Sequence, residues 1–146
     1  MLHAQPPSNF NPRFEVVSCF MIHNGKILLL HRLDSDDMQP DVWGLPAGKR
    51  EKGESIHEAM IREIQEETGL IIPYQDITFH NSLHVRYPEY DFLYHSFSTS
   101  YTERPEITLS TSEHKDYKWV TPQEALQMKL ITDLDACIKL YFKIPE

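Results

Sequence analysis

Residues 48–70, GKREKGESIHEAMIREIQEETGL, predict a glycine-bounded loop followed directly by a helix. Ser55, with Glu58 three residues later, forms a capping-box pattern that places the start of the helix near Ser55. Gly69 can adopt the left-handed backbone conformation that commonly ends a helix. The loop therefore covers residues 48–53, and the helix that follows it ends at Gly69.

The faces of this helix carry different kinds of side chain. At about 100° per residue, an apolar stripe is formed by Ile56, Met60 and Ile64. Glu63 and Glu67 lie within about 20° of Ile56, and Glu66 lies about 80° to one side. Crowded, partly buried carboxylates are costly unless a cation balances them. A solvated acidic face paired with Arg62 would not explain Glu67 inside the apolar stripe, so the pattern favours a hard divalent cation such as Mg²⁺.

The spacing across the whole run resembles the signature of the Nudix hydrolases, G-x5-E-x7-R-E-U-x-E-E-x-G-U, where U is aliphatic. The matching residues are Gly48, Glu54, Arg62, Glu63, Ile64, Glu66, Glu67, Gly69 and Leu70. The resemblance implies an α/β fold, namely a Nudix-type α/β/α sandwich with a mixed β-sheet. It also implies Mg²⁺-dependent hydrolysis, with Mn²⁺ as a substitute, of a pyrophosphate bond in a nucleoside diphosphate linked to another group.

The same resemblance implies roles for single residues. The implied metal ligands are Glu63, Glu66, Glu67 and the backbone carbonyl of Gly48. Glu54 is expected to brace the loop, and Arg62 is expected to pair with a glutamate and orient it for catalysis. Members of the family often recruit a further glutamate from outside the signature, and Glu113, just before a predicted strand, is the best-placed candidate. The general base is therefore Glu63 or Glu113, and the sequence leaves both open.

Cationic and aromatic side chains outside the helix are candidates for contacts with substrate. The side chains that could bind phosphates are those of Arg32, Lys49 and Arg50. The side chains that could stack on a nucleobase are those of Trp43, Tyr87, Tyr90 and Phe92. Each member of both groups has an ordinary alternative, since the cations could be solvated and the aromatic rings could belong to the core.

The sequence is compatible with several substrates. The short chain favours a MutT-like pyrophosphohydrolase of nucleoside triphosphates, including deoxynucleoside triphosphates. The alternatives are hydrolases of ADP-ribose, nucleotide sugars or dinucleoside polyphosphates, and the Arg86-Tyr87-Pro88 segment does not decide between them. A Nudix module that senses a nucleotide without cleaving it belongs to another class. Such a module would be expected to have lost a signature glutamate, and all of them are present.

The charge balance and the termini constrain the partners. With 14 basic and 22 acidic residues, the formal net charge is −8, which argues against nucleic acid as a partner. A bound cation would reverse the local field and admit a nucleotide-type small molecule. Residues 1–12 are expected to be a flexible tail, and residues 13–146 a single domain. Neither a signal peptide nor a membrane-spanning run is evident, so we expect a cytoplasmic protein without a membrane partner, and a homodimer stays open.

Turn signals and alternating apolar residues predict the remaining elements. A hairpin is expected at Asn24-Gly25, between strands at residues 13–23 and 26–33. One or two strands are expected within residues 71–86, with a break near Pro73, and further strands are expected at residues 92–101 and 117–120. Thr121-Pro122 begins a helix, and a final helix presents Leu134 and Ile138 to the sheet.

Overall fold

The computed structural model describes residues 1–146 and contains eight strands and three α-helices. The strands are β1 (Leu2–His3), β2 (Pro12–His23), β3 (Lys26–Arg32), β4 (Trp43–Gly44), β5 (Ala47–Lys49), β6 (Thr78–Arg86), β7 (Asp91–Tyr101) and β8 (His114–Val120). The helices are α1 (Ile56–Thr68), α2 (Pro122–Ala125) and α3 (Leu134–Phe142), and a 3₁₀ turn spans Tyr74–Asp76. None of the helices is both long enough and apolar enough to cross a bilayer.

The strands form one mixed sheet in the order β1-β6-β7-β2-β3-β4, to which β5 and β8 are added at β2 and β3. β2 and β7 run parallel, whereas the other neighbouring strands are antiparallel. β5 pairs with β2 so that Gly48 lies opposite Val17. This pairing fixes the start of the loop between β5 and α1 to the sheet.

Helices cover both faces of the sheet. Along β3, Leu28 and Leu30 belong to the core beneath α1. Ile27 and Leu29 belong to a second core, which includes residues of α2 and α3. This alternation follows from the period of two in a β-strand that is buried on both sides. The α/β/α sandwich with a mixed sheet, expected from the sequence, is confirmed.

The local signals that were read from the sequence correspond to observed structure. Asn24 and Gly25 have φ angles of 50° and 72°, as a two-residue hairpin turn requires. Ser55 caps α1 through a capping box with Glu58. Gly69 ends α1 with φ 77° and donates its backbone N–H to the carbonyl of Gln65. Each of these expectations depends on neighbouring residues alone.

Residues 71–86 contain one strand, which begins at Thr78, so the first of the two expected alternatives is observed. Two other boundaries differ from expectation, and the reason in both cases is pairing with a distant strand. β8 begins at His114 rather than at residue 117, because His114 pairs with Arg32 of β3. The expected tail, residues 1–12, includes β1, in which Leu2 pairs with Val85 of β6. Its first part is therefore attached to the sheet.

Candidate active site

Helix α1 presents its glutamates to different environments. Glu63 and Glu67 are buried, with relative exposures of 8% and 4%, because they share the helix face that packs against the sheet. Glu66 lies at the edge of that face and its side chain is 53% exposed. The helical wheel drawn from the sequence separates the three residues in the same way.

Arg62 joins the signature carboxylates to one another. Its Nε and Nη2 donate to the two carboxylate oxygens of Glu54, each at 2.8 Å. Its Nη1 donates to Glu63 at 2.8 Å and to Glu66 at 3.2 Å, and Nη2 also donates to the carbonyl of Lys49 at 3.0 Å. The hydrogen bonds from Arg62 lower the pKa of Glu54 to about 2. Arg62 therefore fixes the loop to the helix while it orients two of the expected metal ligands.

Glu63 packs against the backbone of Gly48. A Cβ at position 48 would overlap the Glu63 carboxylate, so only glycine leaves room for it. Burial raises the pKa of Glu63 to about 7, and the charges of Glu66 and Glu113 add to this effect against the opposing hydrogen bond from Arg62. A carboxylate in this position is readily stabilised by a further positive charge.

Glu67 is the most deeply buried carboxylate of the cluster. Its Oε1 accepts a hydrogen bond from the backbone N–H of Ala47 at 2.9 Å. Burial raises the pKa of Glu67 well above its usual value, and the neighbouring charges of Glu63 and Glu113 raise it further. One backbone hydrogen bond is a small compensation for burying an ionised carboxylate, so the site favours a cation.

Glu113 and His114 approach Glu67 from the start of β8. One potential ligand atom from each of these three residues lies within 4.8 Å of the others. The Nδ1 of His114 is buried and has no hydrogen-bond partner. Burial lowers the pKa of His114 to about 4, so its imidazole is neutral near pH 7. A neutral imidazole, like a carboxylate, can donate a lone pair to a metal ion. The oxygen-rich donor set and the unpartnered imidazole nitrogen fit a divalent cation.

The expected ligands are therefore divided between two neighbouring groups. Glu67 is grouped with Glu113 and His114, whereas the carboxylates of Glu63 and Glu66 are turned towards Arg62. Gly48, which contacts Glu63, lies on the wall of the same cleft as Glu67. The sequence anticipated Glu113 as a member of the cluster, but it gave no reason to choose His114.

A cleft of about 930 Å³ connects this cluster to a wall of aromatic side chains. The residues at the acidic end are Gly48, Glu67, Glu113 and His114. We use the term aromatic wall for the residues at the other end, which are Phe14, Tyr87, Tyr90 and Phe92. The rings of Phe14 and Phe92 are stacked, with centroids 5.1 Å apart and an interplanar angle of 13°.

The candidate substrate-binding residues fall into two sets. Arg32, Lys49, Tyr87 and Phe92 line the cleft, as does Tyr90. Arg50 does not line it, because its guanidinium donates to Glu15 at 2.7 Å and to the carbonyl of Glu54 at 2.9 Å. Trp43 is also absent from the cleft, since it is buried in the second core and stacks on His31. Arg50 therefore links β2 to the loop that precedes α1, and Trp43 belongs to the core.

Two of the cations that line the cleft, Arg32 and Lys49, already have partners within the protein. Arg32 donates to Asp36 at 2.6 Å. Lys49 places its Nζ 4.3 Å from the centre of the Phe14 ring. Lys49 thus contacts the aromatic wall, and an incoming anion has to compete with a cation–π contact for its ammonium group.

Phe14 and His114 also line the cleft, although the sequence alone gave no reason to choose them. Phe14, Val16 and Ser18 all line the cleft because alternate residues of β2 face the same side. That alternation was visible in the sequence. Only the pairing of β2 with β5 and β7 shows which side the cleft occupies.

Comparison with known proteins gives consistent matches over most of the chain. The family model described as NUDIX domain matches residues 12–141. Nucleoside triphosphatase NudI of Salmonella heidelberg (strain SL476) is 34% identical over 122 residues, which cover 77% of this chain and 85% of that protein.

Solved structures share the fold. The MutT protein from Methanosarcina mazei Go1 matches with a TM-score of 0.78 and 24% identity, covering 91% of this chain and 95% of that one. The NUDIX domain of Shewanella oneidensis NrtR, complexed with ADP ribose, matches with a TM-score of 0.76 and 21% identity, covering 95% and 92% respectively. At these identities, the likeness concerns the fold.

Proposed function

The chain belongs to the Nudix hydrolases, which act on phosphorus-containing anhydrides, and we propose that it is a divalent-cation-dependent pyrophosphohydrolase of nucleoside triphosphates. The observation that carries this proposal is the single cleft that joins the buried carboxylate cluster to the aromatic wall. A nucleotide has the same two-part character, with a polyphosphate at one end and a flat base at the other. Its phosphates would lie at the acidic end and its base at the aromatic wall.

Glu67 and the carbonyl of Gly48 are the groups that would hold the cation from the cleft side, and Glu63 and Glu66 would complete the set. When bound, a divalent cation neutralises phosphate oxygens and lowers the pKa of a coordinated water. The choice of Mg²⁺ is part of the proposal, since carboxylate-rich sites that share a phosphate ligand suit this ion.

The residues of the chain supply position and proton transfer. Glu113 lines the cleft, whereas Glu63 is engaged by Arg62, which favours Glu113 as the group that accepts a proton from the attacking water. Lys49 lines the cleft, and its ammonium group would contact the polyphosphate in place of the Phe14 ring. Arg62 and Glu54 act on the reaction through the side chains that they orient.

The preference for triphosphates is supported by the NudI relative, whose name describes a nucleoside triphosphatase. ADP-ribose, nucleotide sugars and dinucleoside polyphosphates remain the alternatives, because an aromatic wall stacks on any nucleobase. A sensing module without turnover is a further alternative, and it is disfavoured by the intact set of signature glutamates.

A substrate panel tests the proposal. The purified protein is incubated with ribo- and deoxynucleoside triphosphates, nucleoside diphosphates, ADP-ribose, a nucleotide sugar and diadenosine tetraphosphate, each with Mg²⁺ or Mn²⁺, and the products are separated chromatographically. We expect nucleoside monophosphate and pyrophosphate from a triphosphate, with no turnover after chelation. Rapid cleavage of ADP-ribose without triphosphate turnover would overturn the choice of substrate. Binding without turnover of any compound would support the sensing alternative.

A further inference from the structure

His114 is a buried polar side chain without an internal partner. Its relative exposure is 8%, and its Nδ1 is buried and makes no hydrogen bond. A buried polar atom that has lost its water without gaining a partner is costly, and such atoms are uncommon in folded proteins. Position 114 therefore calls for a group that is absent from the protein chain itself.

The position of His114 indicates what that group is. One of its ring nitrogens lies within 4.8 Å of a carboxylate oxygen of Glu67 and of another from Glu113. All three residues line the acidic end of the cleft. The backbone of His114 is held in the sheet, because it pairs with Arg32 of β3 and donates its N–H to the carbonyl of Ser110 at 3.1 Å. The imidazole is thus supported on a rigid element at a point where two acidic oxygens converge.

The nearby positive charge of Arg32 does not prevent a cation from binding here. Arg32 donates through both Nε and Nη2 to the Asp36 carboxylate, at 3.1 Å and 2.6 Å. The pair therefore contributes little net charge to the cluster. Glu67 and Glu113 each place a carboxylate oxygen within 4.8 Å of a ring nitrogen of His114.

We propose that His114 is a nitrogen ligand of the catalytic divalent cation, beside Glu67, and that it raises the affinity of this site for Mn²⁺ more than its affinity for Mg²⁺. This inference rests on the metal dependence of the proposed function. Mg²⁺ takes oxygen ligands and gives up its hydration water reluctantly. The divalent ions of the first transition row also accept imidazole, and Mn²⁺ binds it least strongly among them. His114 and Glu67 together hold the ion, which leaves the exposed Glu113 carboxylate to act on water.

The test uses Mn²⁺ alone, without nucleotide, as a spectroscopic probe. Pulsed electron paramagnetic resonance of the wild-type protein with one equivalent of Mn²⁺ should show magnetic coupling to a ¹⁴N nucleus. The coupling should disappear in His114→Gln and persist in His3→Gln, a matched change on β1 outside the cleft. Mn²⁺ affinity, measured by calorimetry, should fall at least about tenfold in His114→Gln, and Mg²⁺ affinity should change much less.

Several outcomes would overturn the inference. One is a wild-type spectrum without ¹⁴N coupling, which requires no variant and so does not depend on whether His114→Gln folds. Another is unchanged Mn²⁺ affinity in a His114→Gln protein whose circular dichroism matches the wild type. Triphosphate hydrolysis with Mg²⁺ in a protein that shows no nitrogen coupling would leave the proposed function standing without this ligand. Nitrogen coupling in a protein that cleaves no triphosphate would support His114 as a metal ligand and overturn the proposed function.

Discussion

Gly48 and Glu63 are in direct contact, and the contact leaves no room for a side chain at position 48. Gly48→Ala is expected to displace the Glu63 carboxylate and separate it from Arg62, because the neighbouring backbone of β5 is paired with β2 and cannot move freely. We expect a loss of turnover of roughly 100-fold, the scale of a misplaced active-site group. Steady-state kinetics with a triphosphate would measure it.

The matched control for this change is Gly44→Ala. A Cβ at Gly44 would meet Ile131 at 3.5 Å, which is an ordinary contact. We expect this variant to retain most of its metal affinity and turnover. Equal losses in the two variants would mean that the contact between Gly48 and Glu63 has no special role.

Arg62→Lys is expected to lower turnover by about 10- to 100-fold, as loss of a group that orients ligands usually does. A lysine can keep the charge, but it cannot donate at once to Glu54, Glu63 and the Lys49 carbonyl as the planar guanidinium does. The matched control is Arg104→Lys at an exposed position. If Arg62→Lys were as active as this control, charge alone would suffice and the bridging geometry would be unimportant.

Glu67→Gln and Glu58→Gln compare two positions on the same helix. Glu67 faces the cleft, whereas Glu58 is exposed and belongs to the capping box, in which glutamine can serve as well. We expect Glu67→Gln to abolish most of the turnover and the thermal stabilisation by Mn²⁺, and Glu58→Gln to preserve both. Similar losses in the two variants would contradict the placement of the metal site.

Glu67→Gln should also raise stability when metal is absent. The pKa of Glu67 is raised in the folded protein, so its ionisation disfavours folding once the pH exceeds the value of an unfolded glutamate. Glutamine removes that charge and can still accept the hydrogen bond from Ala47. We expect a gain on the order of 1 kcal/mol at neutral pH in a chelator-treated protein. Denaturant titration would show it, and a marked loss of stability would contradict the argument.

The sequence was sufficient for those parts of the site that depend on local spacing. The start of α1 at Ser55, its end at Gly69 and the division between buried Glu67 and exposed Glu66 all follow from helical geometry. The identity of the family also follows, because the signature residues are fixed relative to one another. The predicted strands and helices indicated a mixed α/β fold, whereas the α/β/α sandwich came with that resemblance.

The remaining site residues depend on contacts between distant segments. Arg50 could not be assigned to Glu15 without knowing that β5 pairs with β2, which brings residues 35 positions apart together. Trp43 could not be assigned to the core without its stacking on His31. His114 needed the register of β8 against β3 before it could be placed beside Glu67.

Glu15→Gln should lower the free energy of unfolding at neutral pH. It should also make that free energy less sensitive to acidification. Burial acts to raise the pKa of Glu15, but hydrogen bonds from His95 and Arg50, at 2.7 Å each, outweigh it and lower the pKa. A lowered pKa means that the stabilisation is present above the pKa of an unfolded glutamate, near 4.5, and is lost as the pH falls through the folded value. The expected effect is up to about 1 kcal/mol.

Thermal unfolding between pH 3 and pH 7 (roughly the range over which carboxylates titrate) would measure this effect. The control is Glu89→Gln, which removes an exposed charge. The difference in stability between the wild type and Glu15→Gln should shrink as the pH falls, whereas Glu89→Gln should follow the wild type throughout. A constant difference across the range would show that the ionised form of Glu15 has no special stabilising role.

Hydrolysis of a nucleoside triphosphate in ¹⁸O-labelled water tests the proposed reaction most directly. A MutT-like reaction has water attack the β-phosphorus, so we expect nucleoside monophosphate and pyrophosphate, with the label in pyrophosphate. Glu67→Gln should give neither product at an appreciable rate under the same conditions, which ties the reaction to the carboxylate cluster. Label found in the nucleoside monophosphate, or orthophosphate as the first product, would contradict the account.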